Sequence, residues 1–283
     1  MKNRISPVHY YVPGFLLVFV TGLLYSIGMY HAKTAKELRQ FLKLEDSYKV
    51  DGFLSYGAWD EEKHFRNLHF YLKELGISYS QHRFTGFLNH VLELRVLGRV
   101  YWFAVMYGGA LLSEYTHLAC MLGSKRNIHM GGCGGLFPEM NANEILIPEW
   151  SYGNESETRF YARGNTDNKH YPDKALFDMI KSGVGSVSKV WTGPTMTSQA
   201  MLGEIPEDVE QWSKEGYYGV EMDAATVFAV SNHFMVPSAA LLYVSGNLTK
   251  GHAVGGLNYG QEHDRREAIK QEMYLIGINM ILK

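Results

Sequence analysis

Gly216–Asn247, GYYGVEMDAATVFAVSNHFMVPSAALLYVSGN, is the stretch on which the fold turns. Val220-Glu221-Met222-Asp223 closes a loop. Ala225, Phe228, Ala229 and Asn232 then recur at the spacing of one helical face, which predicts a helix over 224–234. Val236-Pro237 stops that helix, because proline excludes its predecessor from helical geometry. The apolar run Ala239–Ser245 predicts a fully buried strand that exits at Gly246-Asn247. Loop, helix, strand and polar exit in this order place ligands at the carboxyl ends of strands in open α/β sheets.

Two upstream stretches extend the pattern. Ile128-His129-Met130-Gly131-Gly132-Cys133-Gly134-Gly135-Leu136 reads as a strand running into a glycine turn, and Gly52-Phe53-Leu54-Ser55-Tyr56-Gly57-Ala58-Trp59-Asp60-Glu61-Glu62 as a strand followed by acids. With the opening stretch, they resemble the nucleoside phosphorylase/nucleosidase superfamily. Its signature runs V-E-M-E-x-A, a helix, then a strand ending S-D. Its phosphorylases carry I-R-x-G-[ST]-x-G-G, and its methylthioadenosine/S-adenosylhomocysteine nucleosidases carry G-A-M-E-E-E. The three matches fall in the family's order between about residues 50 and 251. The resemblance implies an α/β fold, a three-layer α/β/α domain with a mixed central sheet.

Composition agrees with one sizeable domain. The 283 residues are 46% hydrophobic, and the formal net charge of −2 offers no footprint for nucleic acid. Cys120 and Cys133 make no disulfide framework, and neither a CxxC pair nor a His/Cys cluster predicts a metal.

Residues 10–30, YYVPGFLLVFVTGLLYSIGMY, carry no charge and match the ~20 residues a helix needs to cross a bilayer. Tyrosines near both edges and basic residues on both flanks complete the pattern of an N-terminal transmembrane helix, an addition to the family's fold. Residues 1–31 are thus expected to anchor the chain in a membrane, 32–48 to form a linker helix, and 49–283 to form a catalytic domain facing the cytoplasm. The alternative is a soluble cytoplasmic protein in which this segment is a buried hairpin or helix. Elsewhere, Ser151–Pro172 reads as a long aperiodic loop and Asp264–Leu282 as a helix packed on the outside.

Cleaving an N-glycosidic bond requires a grip on the ribose, a place for the departing base, and a nucleophile. The resemblance puts the ribose on Met222 and Asp223, the methionine packing below the ring and the carboxylate accepting from both hydroxyls. Asp223 stands where the family has glutamate, one methylene longer, and aspartate before a helix also serves as a cap. For the nucleophile, phosphorylases use arginine where this chain has His129, serine or threonine at Gly132, and another arginine near Glu61. Gly57, Gly131 and Gly132 retain backbone N–H groups for an anion, and Arg83 resembles an arginine that the family lends across a dimer interface. Glu62 matches the third acid of the nucleosidase turn, where it activates water as general base. For the base, the family's aspartate after the strand is replaced by Gly246 and Asn247. Gln199 lies in the loop where uridine phosphorylases hold the pyrimidine, and Met196 or Met201 can wall the base. The first expectation is therefore hydrolysis of a nucleoside, with Glu62 and Asn247 catalytic. The alternatives are a phosphate-dependent phosphorylase and an inactive nucleoside-binding protein. No cofactor is expected beyond phosphate as co-substrate, and the family resemblance implies a homodimer or larger homo-oligomer.

Overall fold

The computed structural model describes residues 33–185, 188–253 and 262–283, together with residues 18–20 and 23–25. The chain divides into two units, residues 1–48 and 49–283.

In the first unit, β1 (Val18–Val20) and β2 (Leu23–Tyr25) pair antiparallel, Val18 opposite Tyr25 and Val20 opposite Leu23. At these six residues the chain is a hairpin where the sequence predicts a transmembrane helix. Apolar residues that are largely β-branched or aromatic, on either side of Thr21-Gly22, favour that pairing. The remainder of the expected span, and with it the membrane anchor, lies outside the described residues. Among the described residues no helix is long and apolar enough to cross a membrane. Helix α1 (Ala35–Phe41) falls within the expected linker and starts at a capping box between Thr34 and Glu37.

The second unit is built on a ten-stranded mixed sheet. Its strands are β3 (Gly52–Gly57), β4 (Ser80–Arg83), β5 (Val91–Val96), β6 (Arg99–Val105), β7 (Asn127–Gly135), β8 (Ile145–Tyr152), β9 (Lys169–His170), β10 (Val190–Thr197), β11 (Gly219–Glu221) and β12 (Ser238–Asn247). The order is β11-β10-β8-β12-β7-β3-β6-β5-β4, with β9 beside β8. Strand β11 also pairs with the end of β7, Gly219 opposite Gly135, so five strands curl into a closed ring at one end of the sheet.

Alternation along the central strands separates two helix layers. Leu54 and Tyr56 of β3, Ile128 and Met130 of β7, and Leu241 of β12 face one core, shared with α2 (Glu61–Glu74), α5 (Lys174–Gly183) and α8 (His263–Leu282). The intervening residues face the other way: Asn127 donates to Ser231 of α7 (Ala224–His233) at 2.9 Å, and Ala240 packs on Phe228. Helices α3 (Gly109–Met121) and α4 (Ser156–Tyr161) join α7 on that face. Each large side chain buried in these layers contributes roughly 1.5–3 kcal/mol.

Three expectations are corrected. Residues 131–135 continue β7 and are not a turn, because their missing side chains admit those of neighbouring elements. A Cβ on Gly132 would stand 3.1 Å from the Tyr243 ring, and one on Gly134 2.6 Å from Leu248. The stretch 151–172 is not a structureless loop; it holds the end of β8, α4 and β9, tied together by Thr158 and His170, which both bond the Gly153 carbonyl. Helix α8 is part of the core and not an outer layer. Ile269, Met273 and Tyr274 are fully buried, and Gly277 lies against the Met130 sulfur.

Candidate active site

A cavity of about 1240 Å³ opens at the carboxyl end of β3 and extends beneath α6 (Pro206–Lys214). Met222 and Asp223 line it, and the expected ribose-binding pair is thus brought to its wall.

The local chain explains how Asp223 comes to face the cavity. The helix that begins at Ala224 is capped by Glu221, whose Oε2 accepts from the N–H groups of Asp223 and Ala224, each at 2.6 Å. Asp223 makes no side-chain cap bond. The other Glu221 oxygen, Oε1, accepts from the Thr197 hydroxyl at 2.5 Å and the Ser151 hydroxyl at 3.2 Å. Burial first, and then the neighbouring Asp223 charge, push the Glu221 carboxyl above its ordinary pKa, while these hydrogen bonds oppose the shift.

Asp223 Oδ1 accepts from the Gly108 N–H at 2.7 Å. Gly108 has φ +89°, a left-handed geometry that turns its N–H toward the carboxylate between β6 and α3. Asp223 Oδ2 lies 3.4 Å from Nε2 of the fully buried His129, within ion-pair range but without hydrogen-bond alignment. His129 is held from behind by the Ser55 hydroxyl, 3.0 Å from Nδ1. Gly57 permits the approach, since a Cβ there would stand 2.7 Å from Asp223 Oδ2. The Gly108 N–H takes one acceptor position on Oδ1, and Oδ2 accepts no aligned hydrogen bond from His129, so both oxygens keep acceptor capacity.

Of the anion-site candidates, Gly57 and Gly132 line the cavity, whereas His129 and Gly131 lie behind its wall. Arg83 and Glu62 stand outside it. They pair at 2.5 Å, with Glu61 joining at 3.3 Å, and the Glu62 side chain is 61% exposed. Glu62 faces solvent because it occupies the outer side of the first turn of α2.

The base-site candidates are also redistributed. Asn247 is fully buried and turned away from the cavity. Its amide donates to the carbonyls of Phe137 and Met140, and its oxygen accepts from Thr249, so its polar capacity is committed to the chain. Gln199 bridges the Gly109 N–H and the Met222 carbonyl, each at 2.7 Å, and so orients the backbone at Met222. Met196 packs with Leu136, Tyr217 and Val220 in a separate apolar cluster. Gly246 is closed by the His252 carbonyl, which a Cβ would strike. Met201 does line the cavity, near the exposed Trp59 and Tyr107 rings, which meet edge to face at 5.7 Å.

Among the wall residues that the sequence reading did not single out are Lys63, His64, Tyr243 and Lys270. Lys63 and His64 directly follow the acidic run and could have been found there. Lys270 is more than two hundred residues away in α8, beyond any local pattern. Among the described residues, no group of three or more His, Cys, Asp or Glu is arranged to hold a metal.

Comparison with known proteins agrees with this geometry. Residues 107–275 match the model of the phosphorylase superfamily. The chain is 25% identical over 138 residues to guanosine phosphorylase of Halorubrum lacusprofundi, covering 47% of this chain and 55% of that protein. It is 27% identical over 150 residues to a DeoD-type purine nucleoside phosphorylase of Clostridium beijerinckii, covering 52% of this chain and 59% of that one. The chain thus spans little more than half the length of these relatives. The structure of uridine phosphorylase from Vibrio fischeri superposes with a TM-score of 0.67 at 16% identity, covering 85% of this chain and 93% of the other, and shares the fold. Purine and uridine phosphorylases need no cofactor and take phosphate as co-substrate. Because the family match takes in more than half of its residues, and the signature strand, helix and carboxylate stand at one cavity, this chain belongs to the phosphorylase superfamily.

Proposed function

We propose that this protein splits the N-glycosidic bond of a nucleoside by phosphorolysis. A phosphate oxygen bonds to C1′ as the C1′–N bond breaks. The electron pair of that bond leaves with the base, which takes up the proton carried by hydrogen phosphate, and the products are a pentose 1-phosphate and the free base. Asp223, whose two oxygens keep acceptor capacity, holds the sugar hydroxyls, and Met222 lies beside it under the ring.

The setting of Asp223 carries this reading: a nearly buried carboxylate, held by Gly108 and beside His129, on the wall of a cavity with room for a nucleoside. Phosphate is favoured over water as nucleophile for two reasons. Glu62, the only base proposed for water, stands outside the cavity in an ion pair. The curated relatives are named for phosphorolysis of guanosine and purine nucleosides. A homo-oligomer, implied by the family resemblance, is part of the same proposal.

The test incubates the full chain with purine and pyrimidine nucleosides, with and without phosphate, and measures free base. Phosphate-dependent release is expected, and Asp223→Asn should lower kcat/KM by roughly 10- to 100-fold, the range for hydrogen bonds to a charged group. Release without phosphate would instead establish a hydrolase. Sedimentation of the active protein as a monomer would remove the oligomer.

A further inference from the structure

Behind the cavity wall, side chains from three elements converge on Gly109, the first residue of α3. A Cβ there would strike Oε1 of Glu157, and would stand 2.5 Å from the Thr226 hydroxyl and 2.8 Å from Nε2 of Gln199. Glu157 comes from α4, Thr226 from α7 and Gln199 from the segment after β10. Two backbone links join this cluster to the cavity wall. The Gly108 N–H donates to Asp223 Oδ1 at 2.7 Å. Gln199, which accepts the Gly109 N–H, donates in turn to the Met222 carbonyl at 2.7 Å.

Glu157 is the charged member of the cluster. It is 8% exposed, and its other oxygen, Oε2, accepts from the Ser156 hydroxyl at 2.7 Å. A carboxylate so buried is costly unless positive charge compensates it. The amino-terminal end of α3 carries such charge, about half a unit. That end has no acid in its own first turn, and its N-cap, Gly108, has no side chain with which to close it. The carboxylate therefore comes from another helix. Its charge is felt at Glu155, whose carboxyl is raised above its ordinary pKa by burial first and Glu157 next, against Arg159. The fully buried Thr226 hydroxyl, with no hydrogen-bond partner among the described residues, adds a dipole on the same flank. An outside anchor is needed here because Gly108 and Gly109 are two glycines in succession, the first at φ +89°, and neither has a side chain to fix the chain.

We propose that Glu157 is a positioning residue for the Asp223 carboxylate. Its charge holds the amino end of α3 where the Gly108 N–H meets Asp223 Oδ1, and so sets the direction in which Asp223 offers its remaining acceptor capacity to the cavity. Glu157 itself touches no ligand; it acts through Gly109 and Gly108. The inference rests on the reading of Asp223 as the acid that holds the sugar.

Calorimetric titration of the full chain with guanosine and with uridine tests it without requiring turnover. Glu157→Gln, which keeps the shape and removes the charge, should weaken binding of the better ligand by about three- to tenfold, the range for a partly buried charge at a helix end. Glu157→Asp keeps the charge and should bind more tightly than Glu157→Gln. Circular dichroism confirms that each variant is folded, and if Glu157→Gln is not, Glu157→Asp takes its place in the cycle that follows, against the parent. Combined with Asp223→Asn, the Glu157 substitution should have little further effect, because residues acting through one contact are not additive. Unchanged affinity in Glu157→Gln, or losses that simply multiply in the double variant, would overturn the positioning role and leave the sugar reading of Asp223 standing. A parent that binds neither nucleoside would overturn that reading and this inference with it.

Discussion

Glu221 caps the helix that Asp223 introduces: its carboxylate accepts the Asp223 and Ala224 N–H groups at 2.6 Å, and the Asp223 side chain turns to Gly108 and His129. Two acids two residues apart thereby divide their work. One satisfies the orphan donors of a buried helix end, and the other is left at the cavity.

This division makes Glu221 a stability residue. Glu221→Ala should cost about 3 kcal/mol, since it strands two buried N–H donors and removes the acceptor of the Thr197 hydroxyl. At roughly 2–4 °C per kcal/mol for a domain of this size, the thermal midpoint should fall by about 6–12 °C. Glu221→Gln, which keeps an acceptor and sheds a buried charge, should cost less than half as much. Calorimetry checks both, and equal losses would refute the capping role.

Gly57→Ala should damage the site without unfolding the protein. The added methyl would stand 2.7 Å from Asp223 Oδ2 and must push the carboxylate aside. The KM for nucleoside should rise by about tenfold, as expected for losing a charge-assisted hydrogen bond. An unchanged KM would mean that Asp223 does not hold the sugar.

Glu62→Gln separates the two candidate nucleophiles. An exposed residue outside the cavity should change kcat/KM by no more than about twofold. A fall of about a hundredfold or more, typical of a lost general base, would return Glu62 to the mechanism.

His64 should make stability fall in acid. Its folded pKa of about 4 lies below the unfolded value near 6.5, so the unfolded chain binds the proton more tightly between them. The contribution is complete above pH 6.5 and is lost as pH falls toward 4. Between pH 6.5 and 5 it amounts to about 2 kcal/mol. Urea unfolding at these two pH values measures it. In His64→Asn the pH-dependent loss should shrink by about that amount; an identical loss would assign it to other groups.

Local pattern carried the sequence reading a long way. Helix α7 and strand β12 lie within a residue or two of their expected bounds, because apolar period and flanking caps are properties of neighbouring residues. Met222 and Asp223 were legible for the same reason: they sit in one short motif. The sequence misled where a residue's surroundings come from distant elements. Residues 131–135 look like a turn until Tyr243, Leu248 and Val244 are seen filling the space that their side chains would occupy.

Asn247 and Gln199 show the limit most clearly. Each is a polar residue beside a motif, and only the packed chain determines whether its amide meets a ligand or a backbone carbonyl. Here Phe137, Met140 and Met222 take those bonds. The sequence by itself determined the superfamily, the alternation of strands and helices, and the signature acid that lines the cavity. Tertiary structure alone decided which side chains face the cavity, bringing Lys270 from the last helix to Lys63 in the second across one Glu267 oxygen. The reason is physical: secondary structure follows short-range period and capping, whereas a site is a meeting of side chains held by long-range packing.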